Sequence, residues 1–157
     1  MLYHVLSIGH KMPLWAMQGF QEYAKRLSNN PKLVLTEIPL PKRDEQTPIT
    51  VYTQKEAQCI TAVLKPNSFV IALDKTGVQF STSQLAKKIA VWQTQRQIIA
   101  LIIGGPDGLD PTIIQHADVL WSLSDLTFPH PLVRIMVAEQ LYRAHSLLSN
   151  HPYHRGS

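Results

Sequence analysis

The chain of 157 residues has a single cysteine, Cys59. One thiol cannot close an internal disulfide, and a cysteine-rich zinc site is excluded with it. Cys59 reads as a small apolar core residue on a helix, the usual place for a free thiol. Charge is also scarce. Asp, Glu, Lys and Arg together make 17% of the residues while apolar types make 45%. That balance excludes a disordered tail or a solvated coil, and it suggests that some surface is buried against something, a second copy included. No run approaches the ~18 consecutive apolar residues of a membrane span. The opening MLYHVLSIGHKMP lacks the charged segment and long apolar stretch of a secretory signal. Repeats and low-complexity tracts are absent as well. A reducing cytoplasm is the expected home. At about 100–200 residues per domain, the chain is expected to fold as one unit, 1–157.

Lys plus Arg number 15 against 11 Asp plus Glu, a formal net charge of +4. This mild excess tolerates nucleic acid as a partner without demanding it. Its distribution says more. From His130 to Ser157 stand three Arg and four His with one acid, Glu139, so the carboxy-terminal end is expected to be the electropositive one.

Strand and helix periods alternate along the chain. Leu2 to Ile8 reads as a buried strand closed by Gly9. From Pro13, Leu14, Met17, Phe20 and Ala24 recur three or four apart, as in an amphipathic helix. Leu33 to Ile38 is a second strand, and Pro39 to Pro48, with three prolines and four charges, an exposed and mobile loop. A helix is expected over about 49–64. Ser68 to Leu73 is a strand that Asp74 to Gly77 should turn, followed by a helix capped by Ser81 or Ser83 and running to about Gln95. Ile98 to Ile103 (IIALII) is the most apolar strand. A short helix around Pro111 to His116, a strand around Val119 to Leu123 and a long helix from Pro131 to about Asn150 complete the pattern. Continuous apolar strands alternating with helices predict a parallel sheet with helices on both faces. Ligands of such sheets sit beyond the carboxyl ends of the strands, which directs attention to the segments after Leu73, Ile103 and Leu123.

After Ile103 comes Gly104-Gly105-Pro106-Asp107-Gly108. Paired glycines after a buried strand mean either a tight turn or a backbone against which a ligand lies. The spacing is neither the dinucleotide fingerprint nor a Walker loop. The segment Trp121 to His130 offers hydroxyls and backbone amides with Leu and Phe interleaved. It can be an irregular capped loop or a wrap around a flat heterocycle. His130 opens the last helix, with Arg134 one turn later on the same face, and Arg143 stands four residues after Glu139 as in an intrahelical pair. That helix is apolar nearly all round, so a homodimer partner is the simplest cover for its surplus face. In the closing His151-Pro-Tyr-His-Arg155, no Cys or carboxylate completes a metal set for the histidines. Tyr153 and Arg155 can pack on their own domain or stack on a nucleobase.

LIIGGPDGL, WSLSDLTFPHPLVRIMVAEQLYRA and NHPYHR in this order, with GHKMPLW and GFQEYAKR near the start, resemble the RlmH-type methyltransferases of the SPOUT class over essentially the whole chain. The resemblance implies an α/β fold with a carboxy-terminal trefoil knot, knot and cofactor site within about 70–157, and a homodimer. It implies methyl transfer from S-adenosylmethionine, without a metal, to N3 of a pseudouridine in 23S rRNA of the assembled ribosome. Cofactor contacts carried over from the family fall on Leu73, Gly104, Gly105, Leu123, Ser124, Asp125, Leu126, Thr127 and Phe128. Substrate and catalytic positions fall on His130, Tyr153, His154 and Arg155, with His130 the candidate base and Arg155 the candidate stabiliser of the N3 anion. Two other classes stay in view. A non-catalytic ribosome-binding factor would use the basic tail and bind no cofactor. A nucleotide-binding α/β protein with a small substrate would need neither tail nor ribosome.

Overall fold

A computed structural model describes residues 1–9, 11–28 and 31–156; His10 of the amino-terminal motif and Ser157 of the tail lie outside them. In chain order the elements are β1 (Leu2–Ile8), α1 (Leu14–Leu27), β2 (Lys32–Ile38), α2 (Ile49–Val63), β3 (Phe69–Val78), α3 (Thr82–Gln95), β4 (Ile98–Ile103), α4 (Pro111–His116), β5 (Val119–Trp121) and α5 (His130–Leu148). A 3₁₀ turn, Pro152–Gly156, follows. The strands form one parallel sheet in the order β2-β1-β4-β3-β5.

Alternation along the strands sorts two cores. Tyr3 and Val5 of β1 face a cluster with Phe20 of α1, Leu85 and Ile89 of α3, and Val137 and Leu141 of α5. Leu6 and Ile8 face the other side, with Ala57 and Ile60 of α2 and Ile113 of α4. Helices therefore cover both faces, as buried parallel sheets require. Ser81 caps α3 in a reciprocal box with Gln84, and Asp110 caps α4 by accepting from the Thr112 amide at 3.0 Å. The side chain of Ser81 satisfies a first-turn amide that has no intrahelical partner.

Four expectations are corrected. Asp74 to Gly77 do not turn the chain, because β3 continues to Val78 through an irregularity in which Leu73 and Val78 both oppose Trp121. Gly77 permits it: a Cβ there would lie 2.5 Å from the Leu120 carbonyl carbon, so only glycine allows the two backbones to approach. The last strand is shorter than expected and stops at Trp121. Beyond it the Ser122 hydroxyl donates to the Ser124 carbonyl at 3.2 Å and bends the chain away. Cys59 is exposed, not in the core; α2 buries the stripe Tyr52, Thr53, Glu56, Ala57 and Ile60 and leaves Cys59 off it. Finally, most of the apolar circumference of α5 is covered within one chain, since α5 lies between α1 and α3 on the sheet. Leu132 and Leu148 are the large apolar groups of α5 left exposed.

Candidate active site

Leu73 pairs with Ile103 on one side and with Trp121 on the other, so three chain segments leave the sheet at one place. They enclose a cavity of about 660 Å³. All the cofactor residues named from the sequence line it except Asp125, which is exposed and accepts from Gln79 Nε2 at 2.8 Å. His130 also lines it. Tyr153, His154 and Arg155 do not. Asp74, Lys75 and Asp107 do, and only the strand-end rule pointed toward them; Val133 of α5 lines it too.

The glycine turn bears out the tight-turn reading. The Gly108 amide donates to the Gly105 carbonyl at 3.1 Å, with Pro106 in the second position that β-turns favour. Gly108 has φ +77°, a conformation side chains with a Cβ rarely adopt. A Cβ on Gly104 would lie 3.0 Å from the Gly108 carbonyl carbon and 3.0 Å from Leu109 Cγ. The space beside Gly104 is thus filled by the turn's own backbone, not left for a ligand. The turn is tight, and its outer surface walls the cavity. Across from it the Leu126 amide donates to Ser124 Oγ at 3.1 Å. This holds Leu126 at the cavity with 71% of its surface exposed.

Behind His130 stands the feature the sequence did not reveal. Arg134 is 1% exposed and is the largest fully buried side chain among the described residues. Its Nε donates to Ser7 Oγ at 2.9 Å and its Nη1 to Glu37 Oε2 at 2.9 Å. Glu37 Oε2 also accepts from the Met12 amide at 3.2 Å. One guanidinium thereby ties the start of α5 to the carboxyl ends of β1 and β2 and to the segment leading into α1. The sequence hint is an arginine inside the apolar run Leu132 to Ala138. Burial lowers the His130 pKa, and the nearby Arg134 charge lowers it further.

The electropositive carboxy-terminal end is largely consumed by such pairings. His145 is hydrogen-bonded to the Tyr3 hydroxyl at 2.6 Å, and burial lowers its pKa. Arg143 pairs with Glu139 at 2.6 Å, the intrahelical pair its spacing predicts. The tail is seated on its own domain. The Tyr153 hydroxyl donates to Glu139 Oε1 at 3.2 Å, its ring lies 4.6 Å from that of Tyr142, and the Arg143 guanidinium stands 4.8 Å from its centre. Arg26 of α1 approaches the same ring at 5.6 Å. Tyr153 and His154 are half-buried; Arg155 is exposed. Among the described residues no group of three or more His, Cys, Asp or Glu is placed to hold a metal ion, and no helix is long and apolar enough to cross a membrane.

A family model described as "Predicted SPOUT methyltransferase" matches residues 1–154. Among curated proteins, Ribosomal RNA large subunit methyltransferase H of Nitrosococcus oceani is 46% identical over 154 residues, covering 98% of this chain and 98% of the relative. The protein of the same name from Hydrogenovibrio crunogenus is 47% identical over 152 residues, 97% of each chain. Among solved structures, a probable methylase family protein from Haemophilus influenzae Rd KW20 superposes with a TM-score of 0.54 at 14% identity. The match covers 96% of this chain and 67% of that one, and it speaks for the fold.

Proposed function

The chain belongs to the SPOUT methyltransferase family, and from that premise we propose that it methylates N3 of a pseudouridine in 23S rRNA of the assembled ribosome, with S-adenosylmethionine as donor. What carries this reading is the convergence of the three strand-end segments and His130 on one cavity. Near-full-length relatives named for large-subunit rRNA methylation support the substrate class. The make-up of the cavity fits the donor. Its volume lies within the range of about 300–1,000 Å³ usual for small-ligand sites. Leu73, Leu123, Leu126 and Phe128 offer apolar walls for a purine, and Asp74, Ser124 and Thr127 offer polar groups for a ribose and an amino acid.

When bound, S-adenosylmethionine supplies an activated methyl carbon on a sulfonium. The residues of the chain have two further tasks. One is to hold the base nearly in line with that carbon, a task for the loop 122–128 and the walls of the cavity. The other is to take the proton from N3, whose lone pair is otherwise unavailable for attack. The half-buried His130 imidazole takes it. Because burial and the charge of Arg134 lower its pKa, the neutral, proton-accepting form persists to lower pH than in a free histidine. Arg155 stabilises the N3 anion from the tail.

The test is nucleoside mass analysis of rRNA from unmodified ribosomes incubated with the protein and labelled donor. Incorporation into a pseudouridine is expected, and donor binding without incorporation into rRNA would refute the reading. A ribosome-binding factor would show neither. With His130→Gln, turnover should fall about 10²–10⁴-fold, the usual contribution of a positioned base. In the wild type, activity should hold through neutral pH and decline only below the ordinary histidine range near 6.5. A wild-type decline that begins above that range would remove His130 as the base.

We infer that the working unit is a homodimer with the carboxy-terminal knot of its family. Exposed apolar groups on the two neighbouring helices that such pairing would cover include Leu132 and Leu148 of α5 and Leu14 and Trp15 of α1, the last two 69% and 56% exposed. Sedimentation should give roughly twice 17.7 kDa at micromolar concentration. A monomer that methylates would overturn the inference.

A further inference from the structure

The loop between β2 and α2, expected from its composition to be exposed and mobile, is fastened at several points. Inside it, Asp44 Oδ1 accepts from the Gln46 and Thr47 amides at 2.9 and 2.7 Å. The Asp44 amide donates to the Tyr52 hydroxyl on α2 at 2.6 Å. Arg43 lays its guanidinium 5.0 Å from the Tyr52 ring centre, and from there it forms an ion pair with Asp107 of the glycine turn. A second carboxylate faces the same guanidinium, Glu56 Oε1 at 3.6 Å; its side chain is 4% exposed. Leu40, from the start of the loop, reaches the turn as well: its Cδ2 lies 3.4 Å from where a Cβ on Gly105 would stand, and Glu56 Oε1 lies 3.5 Å from that point.

This loop therefore touches the turn from two of its residues, and Asp107 is both its ion-pair partner and a lining residue of the cavity. We propose that loop 39–48, which does not itself line the cavity, supports the methyl-donor site from behind, with Arg43 a positioning residue that holds the Gly105–Gly108 turn through Asp107. The inference rests on the proposed donor site. The physical reason for such a clamp is the turn itself. A five-residue loop with glycines at three positions has many accessible conformations, and ordering it at the moment of binding would weaken affinity. A charged pair anchored to α2 removes that freedom beforehand. Arg43 suits the task because its flat guanidinium stacks on Tyr52 while facing both carboxylates, which a lysine ammonium cannot do equally well.

Two measurements on the full-length protein test this. Calorimetric titration with S-adenosylmethionine should show about tenfold weaker binding for Arg43→Gln and for Asp107→Asn, with the double variant no weaker than either single one, as for residues acting through one contact. Arg43→Lys should restore part of the affinity. Hydrogen exchange, without any ligand, should show faster exchange of the Gly108 amide, which donates to Gly105, in Arg43→Gln than in the wild type. Unchanged affinity and unchanged Gly108 protection in a folded Arg43→Gln variant would overturn the inference. Should that variant fail to fold because Glu56 is left buried without its cation, Arg43→Gln with Glu56→Gln carries the same comparison. Failure of the wild type to bind the donor would instead strike the functional reading, and the exchange measurement would still decide whether Arg43 holds the turn.

Discussion

Replacing Arg134 with alanine should lower the stability of the fold by about 2–5 kcal/mol, the range for truncating a large buried side chain, with the partly exposed Glu37 carboxylate losing its cation as well. The guanidinium is 1% exposed and holds Ser7 and Glu37 at 2.9 Å each. Its loss leaves a cavity at the start of α5, an unpaired Glu37 carboxylate and a hydroxyl without its donor. Each of these destabilises separately. Denaturant unfolding with a common slope is the measurement. Arg134→Met with Glu37→Gln should recover much of the loss, since it keeps volume and leaves no buried charge without a partner. A loss below about 1 kcal/mol for Arg134→Ala would place the pair with ordinary surface salt bridges. In the variants that fold, His130 loses the charge that helps to lower its pKa. The acid limb of the activity profile should therefore move up in pH.

Deleting Tyr153 to Ser157 should abolish methylation while leaving methyl-donor binding within about twofold, because the described residues of this tail do not line the cavity of their own chain. The deletion takes the Tyr153 ring away from Tyr142, Arg143 and Arg26 and its hydroxyl away from Glu139, so some thermal stability should go with it. Arg155→Ala keeps that seat and removes the exposed cation alone. A charge-assisted contact of about 1.5–3 kcal/mol corresponds to roughly a 10- to 150-fold fall in turnover. Complementation tells whose cavity the tail serves. The truncated chain retains His130, and the full-length His130→Gln chain retains the tail. Activity on mixing the two inactive proteins is expected if the tail works on a second copy. Methylation by the truncated protein alone would remove the tail from the reaction.

The alternation of short, continuous apolar runs with segments whose apolar residues recur three or four apart is a property of neighbouring positions in the chain, and it was enough to specify a parallel sheet with helices on both faces. Helix ends behaved likewise, since Ser81 and Asp110 cap through residues two or three positions away. The general rule for open parallel sheets then directed attention to the segments after Leu73, Ile103 and Leu123; the third in fact leaves the sheet at Trp121, and the strand order brings all three to one cavity. Tertiary structure alone decided the rest. Arg134 is legible as an odd residue in an apolar helix, but its partners lie 127 and 97 residues away. The clamp of Arg43 on Asp107 joins a loop that composition alone would leave loose to a turn far along the chain. Gly77 looks like a turn residue until the Leu120 backbone is beside it. The sequence leaves Tyr153 either packed on its own domain or stacked on a base, and Glu139 and Tyr142 take it up within the chain. Local periodicity encodes which face of each element is apolar. It does not encode which distant polar group will meet a buried charge, because that depends on where the packed sheet brings the strand ends and helices together.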